Sequence, residues 1–273
     1  MKFGPYAFAD DSLPIIAGPC VIESEAHVMK MAKLLAGASQ RLGLQLIFKT
    51  SFDKANRTSA TAFRGISLDE ARVIFKRIKA EVGLPILTDV HTPNQPDQLS
   101  DVVDVIQIPA FLSRQTDLLT AAARTGVAVN VKKGQFLSPW EVVHIIDKLK
   151  EAGCRNLAVT ERGSSFGYHN LVSDLRSIPI IQELGVPVIF DATHSAQLPG
   201  EQGDQTGGLR QYIPTVARAA VAAGCDGLFI EVHDQPEHAL SDAATQWPFE
   251  RFESLMHEVL AIRKAYLEVR NQD

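Results

Sequence analysis

Eight short apolar runs, rich in Val and Ile, recur along the chain at 14–19, 45–50, 85–90, 104–109, 127–132, 156–161, 187–192 and 227–232. Runs that are apolar throughout suit parallel strands buried on both faces better than half-exposed antiparallel ones. The segments between them carry helical spacing. In 249–267, Phe249, Phe252, Leu255, Met256, Val259, Ile262, Tyr266 and Leu267 recur three and four residues apart. Segments 25–42, 67–81, 115–125, 138–152, 173–184 and 210–223 read the same way. Ser138-Pro139 with Glu141 marks a helix start, with Pro at the first helical position. Gly43, Gly83, Gly126, Gly153, Gly185 and Gly224 stand just before the next strand, where they can end the preceding helix. There is no composition break and no low-complexity tract. Eight alternating units predict an α/β chain folded as a single-domain (β/α)8 barrel over 14–273, with a doubly wound open sheet as the alternative. Residues 1–13 fall outside the repeat and are expected to cap the barrel's N-terminal end.

The 273 residues suit one barrel, which needs about 250. Net charge is −5 and the pI about 5.9, which argues against a nucleic-acid or membrane-surface partner, since both want a basic face. No apolar stretch approaches the roughly 20 residues of a membrane span. No basic-flanked apolar run opens the sequence, so no signal peptide is expected. Cys20, Cys154 and Cys225 are odd in number and far apart, which suits a reducing cytoplasm. Cys154 and Cys225 follow Gly just before a strand and read as core.

Against this acidic background, residues 46–59 leave an apolar run and at once present Lys49, Lys54 and Arg57 among Ser51, Asn56, Thr58 and Ser59. The pattern extends beyond that stretch. Strand C-terminal ends, where a barrel carries its chemistry, bring Cys20, Lys49, Asp89 and His91, Gln107, Lys132 and Lys133, Glu161 and Arg162, Asp191 and His194, and Glu231 and His233. Strand alternation points only part of each pair inward. A single Lys or His at such a place is more often a rim residue; the recurrence at one end of strand after strand is the signal. Lys49, Lys54, Lys132 and Arg162 are expected to converge on one mouth, where phosphate and carboxylate are the natural occupants. Cys20, His194, Glu231 and Asp242 form a second set. Their S, N and O donors suit a borderline divalent ion such as Zn, Fe(II), Mn or Co, although their wide spacing makes the pattern weak by itself.

Seven blocks together carry a family resemblance: AGPCVIES (17–24), FKTSFDKANRTS (48–59), DVIQIPAFLSRQTDL (104–118), NVKKGQF (130–136), ERGSSFGYHNLV (161–172), FDATHSAQLPG (190–200) and IEVHDQPEHALSDAATQ (230–246). In that order, from about residue 13 to about residue 250, the chain resembles the 3-deoxy-D-manno-octulosonate 8-phosphate synthases. The related 3-deoxy-D-arabino-heptulosonate 7-phosphate synthases typically carry a Lys-Pro-Arg-Thr version of the KANRTS stretch. The resemblance implies a transferase that condenses phosphoenolpyruvate with D-arabinose 5-phosphate and releases phosphate, in lipopolysaccharide inner-core biosynthesis. It implies that Lys49, Ser51 and Lys54 hold the phosphoenolpyruvate carboxylate region and that Gln107, Lys132 and Arg162 hold its phosphate end. Asn56, Arg57 and Thr58 would take arabinose 5-phosphate, Arg57 and Thr58 gripping its phosphate. The catalytic group on this basis is Lys49, Lys54, Lys132, His194 and Asp242. Family members are homotetramers.

Metal-independent members have Asn at the position of Cys20, so this chain resembles the metal-dependent class. Cys20, His194, Glu231 and Asp242 would then hold a divalent ion: Zn, Fe(II), Mn, Co or Cd. The run SDAATQ agrees with that class, and Gly134 departs from the Pro of many relatives. Two rival readings are a heptulosonate synthase using erythrose 4-phosphate and a non-catalytic sugar-phosphate-binding barrel. The second predicts lost site residues, yet each expected position is filled.

Overall fold

A computed structural model describes residues 1–9, 12–55, 62–200 and 207–270. Eight parallel strands close into a barrel: β1 (Ile15–Gly18), β2 (Leu46–Lys49), β3 (Ile86–Asp89), β4 (Val105–Ile108), β5 (Ala128–Lys132), β6 (Leu157–Glu161), β7 (Val188–Asp191) and β8 (Gly227–His233). Each pairs with the next, and β8 closes the ring on β1 through Leu228 opposite Ile15. The helices between them are α1 (Glu25–Leu42), α2 (Leu68–Val82), α3 (Gln95–Leu99), α4 (Thr116–Arg124), α5 (Val142–Glu151), α6 (Ser177–Gln182), α7 (Ile213–Ala222) and α8 (Phe252–Arg270). The chain is a single-domain (β/α)8 barrel, and all eight expected strands are present. Among the described residues no helix is long and apolar enough to cross a membrane.

The apolar runs hide a period of two. Outward residues such as Ile15, Phe48, Ile86, Ile106, Val129, Val159, Phe190 and Ile230 join the main core with the helices. A separate inner cluster takes one residue from every strand: Ile16, Ile47, Leu87, Val105, Ala128, Ala158, Ile189 and Phe229. Phe3, from a hairpin of Lys2–Phe3 against Tyr6–Ala7, completes this layer and is fully buried. It fills the barrel axis at the N-terminal ends of the strands.

Two residues further along seven of the eight strands the inward set turns polar: Lys49, Asp89, Gln107, Asn130, Thr160, Asp191 and Glu231, all buried; in β1 the position is Gly18. These groups satisfy one another, as buried polar atoms must. Thr160 Oγ1 donates to Asn130 Oδ1 (2.8 Å), Asn130 Nδ2 donates to Gln107 Oε1 (2.9 Å), and Gln107 Nε2 donates to Asp89. The opposite face of the same strand ends is structural. Lys133 donates to Leu137 O (3.1 Å) and lies 3.6 Å from Glu161, so this pair braces the β5 and β6 ends outside the barrel axis.

Candidate active site

The C-terminal ends of the strands open into one cavity of about 740 Å3. Its wall includes Lys49, Lys54, Lys132 and Arg162, the four cations expected to meet there, with Asp89, Gln107, His194, Glu231 and Asp242. Ser51 is not among the lining residues; it is fully buried and its hydroxyl donates to Asp89. Asn56, Arg57 and Thr58 lie outside the described residues.

Carboxylates already offset much of the cationic charge. Lys49 donates to Glu231 Oε1 (2.6 Å) and to Cys20 O (2.9 Å). Lys132 donates to Asp191 Oδ2 (2.6 Å), lies 3.2 Å from His194 Nδ1, and sits 3.8 Å over the Phe229 ring. Lys54 stands 3.9 Å from Glu231 and 4.0 Å from Asp89. Burial alone would lower Lys54, but the surrounding acidic groups hold it well above its ordinary value. Burial alone would raise Asp89 and Glu231; the surrounding cations, Lys49 first among them, together outweigh it, and both carboxyls sit well below the usual range. Burial draws Lys132 down despite Asp191 and Glu231.

Arg162 differs from the three lysines. It is buried at the end of β6, and Gln197 Oε1 (2.7 Å) and His194 O (3.5 Å) accept from its Nη2. Its Nε has no partner, and among the described residues no carboxylate lies within ion-pair distance. A buried guanidinium short of an anion is costly, and a bidentate anion in the cavity would satisfy it.

The second set also comes together. Gly18 and Pro19 lead β1 to Cys20, and a Cβ at Gly18 would stand 2.0 Å from Lys49 O, so only glycine permits this approach. Cys20, Glu231 and Asp242 offer ligand atoms all within 4.8 Å of one another. His194 Nε2 lies 3.7 Å from Glu231 Oε1 and 3.9 Å from Asp242 Oδ2. Asp191 Oδ2, 2.7 Å from His194 Nδ1, orients the ring so that Nε2 faces the set, the carboxylate–histidine arrangement that supports metal ligation. Glu231 Oε2 is buried without a partner. Burial, then Asp242 and Glu231, push the Cys20 thiol well up, and it donates to Asp242 Oδ2 (3.1 Å). One thiol, one imidazole and two carboxylates with an orphaned oxygen fit a borderline divalent cation.

Sequence reasoning assigned no role to Asn130, Thr160 or Gln246, and placed Asp191 only among the polar strand ends. Gln246 ties the two halves of the second set: its Oε1 accepts from Cys20 N (3.1 Å) and its Nε2 donates to Ser241 O (2.9 Å). The legible signal was the polar residue at every second position inside runs such as Ala128-Val-Asn-Val-Lys132.

The family model described as the DAHP synthetase I family matches residues 7–266. A protein of Nitrobacter winogradskyi named 2-dehydro-3-deoxyphosphooctonate aldolase is 54% identical over 263 residues, covering 96% of this chain and 92% of its own. Proteins of the same name from Synechococcus sp. and Brucella ovis are each 52% identical, over 94% and 96% of this chain and 90% and 95% of theirs. On the family match and these relatives, the chain belongs to the DAHP synthetase I family.

Proposed function

We propose that this chain is a 3-deoxy-D-manno-octulosonate 8-phosphate synthase, a transferase of lipopolysaccharide inner-core biosynthesis. It condenses phosphoenolpyruvate, D-arabinose 5-phosphate and water to the eight-carbon phosphorylated acid and inorganic phosphate. The relatives' names denote a phosphorylated octonate and favour this over the heptulosonate reading. The observation that carries it is the buried Arg162, without a carboxylate partner among the described residues, in one cavity with Lys54 and Lys132 and beside the Cys20 set.

Arg162 and Lys132 hold the phosphate of phosphoenolpyruvate, with Gln107 near it. Lys49 and Lys54 face its carboxylate, and Ser51 acts from behind by fixing Asp89. Asn56, Arg57 and Thr58 take the arabinose 5-phosphate. These cations offset the repulsion between two anionic substrates and orient them. C3 of phosphoenolpyruvate bonds to the aldehyde carbon, whose oxygen takes a proton, and C2 becomes electron-poor. The oxygen of water bonds to C2 as one of its protons leaves, which balances the proton taken by the aldehyde oxygen. The C2–O bond to phosphate then breaks, the bridging oxygen leaves with phosphate, and the new hydroxyl at C2 gives its proton to the phosphate as the ketone forms. His194, between Lys132 and Glu231, is placed to hold and move a proton near C2. Cys20, His194, Glu231 and Asp242 would hold a divalent ion, which supplies Lewis-acid polarisation of an oxygen at this edge of the cavity.

We place the enzyme in the cytoplasm as a homotetramer. Phe136, Trp140, Phe166 and Tyr168 support the assembly: all are 54–86% exposed, on two loops joined by Ser165 N donating to Gln135 O (2.8 Å). Exposed aromatics in such number suit a protein interface. Light scattering is expected to give four times the 29.8 kDa chain mass; a monomer at micromolar concentration would contradict the assembly.

Arabinose 5-phosphate is expected to be the better acceptor than erythrose 4-phosphate, on the strength of KANRTS at 54–59. Steady-state kinetics with both aldoses test this. A higher specificity constant for erythrose 4-phosphate would overturn the octulosonate assignment in favour of the heptulosonate one.

A further inference from the structure

Behind the cavity wall, a cluster of titratable side chains joins the end of β1 to the end of β8. Ser24 caps α1, its Oγ accepting from His27 N (3.2 Å), and this start of the helix directs His27 back toward His233. The two rings stand 4.4 Å apart. Asp234 Oδ1 lies 3.0 Å from His27 Nε2, and Lys30 Nζ donates to Asp234 Oδ2 (2.6 Å). Glu23 Oε1 lies 3.4 Å from His233 Nε2.

Glu23, His27 and His233 bring ligand atoms within 4.8 Å of one another, which raises a second metal site. The ring protons argue against it. Gln235 N donates to His233 Nδ1 (2.9 Å), so that nitrogen carries the lone pair. With Nδ1 accepting, the ring hydrogen sits on Nε2, facing Glu23, so ligation there would require the ring to give up the Gln235 contact.

The cluster leads instead to the loop of Asp242. Glu23 Oε1 accepts from Leu240 N (2.8 Å), two residues before Asp242. Asp242 holds a left-handed backbone, φ 49°, which few residues other than glycine adopt and which needs support from its surroundings. Arg210 donates to Ala243 O on the far side, and Gln246 grips Ser241 O from below. Glu23 is thus an anchor on the near side. Burial alone would raise its carboxyl, but His233 and the Leu240 amide hold it below its ordinary value, so it is an ionised acceptor near neutral pH.

We infer that Glu23 is a positioning residue: through the Leu240 amide it fixes the loop that brings Asp242 to Cys20, His194 and Glu231. The consequence for metal binding rests on the metal reading above; the consequence for the loop does not. Two measurements separate them. In hydrogen–deuterium exchange of the full chain, Glu23→Ala is expected to speed exchange across 238–246 by about ten-fold while the barrel strands stay unchanged, as loss of one charge-assisted hydrogen bond implies. Glu23→Gln keeps an acceptor oxygen and should restore most of the protection. In chelator competition with Zn, Glu23→Ala is expected to bind the ion about 10–100-fold more weakly, the usual effect of losing an outer partner. If the unmutated protein takes up no Zn, the metal reading fails and exchange alone decides the role of Glu23. If Glu23→Ala does not fold, Glu23→Asp, too short to reach Leu240, must show the same localised acceleration. Unchanged exchange at 238–246 in a folded Glu23→Ala or Glu23→Asp protein would overturn the inference.

Discussion

Exhaustive chelation is expected to abolish activity, and Mn, Co, Fe(II) or Cd to restore it to differing degrees. The reason is Cys20. Its sulfur is fully buried, 3.0 Å from Ser241 Oγ and 3.1 Å from Asp242 Oδ2, with Glu231 in the same cluster. Without a cation, burial and two carboxylates disfavour the thiolate. A borderline cation reverses that balance, because thiolate ligation is its strongest contribution from this set. Cys20→Ser is therefore expected to lose metal and activity together. Cys20→Asn tells more, since it introduces the amide that metal-independent members of the resembled family carry at this position. It should keep partial activity that no longer responds to chelator, partial because the loop at 241–246 stays of the metal-dependent kind. Metal analysis alongside the assay checks both. Full activity of the unmutated protein with an empty site would reduce Cys20 to an ordinary buried thiol.

Arg162→Ala is expected to weaken phosphoenolpyruvate use, and Arg57→Ala arabinose 5-phosphate use. Arg162 offers an unpartnered Nε and an Nη2 held in place by Gln197, so its fork is oriented before substrate arrives. Removing a charge-assisted hydrogen bond to a bound phosphate costs on the order of 2–3 kcal/mol, or about 30–150-fold in the specificity constant. Lys132 alone does not replace that fork, because it brings a single ammonium that Asp191 already shares. Varying each substrate in turn separates the two effects. Equal losses on both substrates from either change would contradict a mouth divided into two anion sites.

Much of the fold was legible because barrel strands announce themselves twice, as apolar runs and as the ends of Gly-terminated helices. The helix α3 escaped notice: five residues with Pro96 near its start show no periodicity to read. The site was legible in kind but not in parity. Lys132 and Lys133 are adjacent and alike in composition, yet one lines the cavity and the other braces Glu161 outside it. Only the register of β5 decides between them. The carboxylates show a similar limit. A sequence displays four cations at strand ends but not that Glu231 and Asp191 already pair with Lys49 and Lys132. That pairing singles out Arg162, which sequence alone ranks no higher than the lysines. The neighbours of Asp242 were beyond reach for a simpler reason: Glu23 and Leu240 meet across 217 residues of chain.

The central claim is tested most directly by following both products of one reaction. Phosphoenolpyruvate carrying 18O at its bridging position is incubated with arabinose 5-phosphate, and the sugar acid and phosphate are analysed by mass spectrometry. The account predicts an eight-carbon phosphorylated acid, one phosphate released per molecule formed, and the label in the phosphate. Label retained in the sugar acid would contradict C–O cleavage, and no turnover of this substrate pair by metal-loaded protein would contradict the assignment itself.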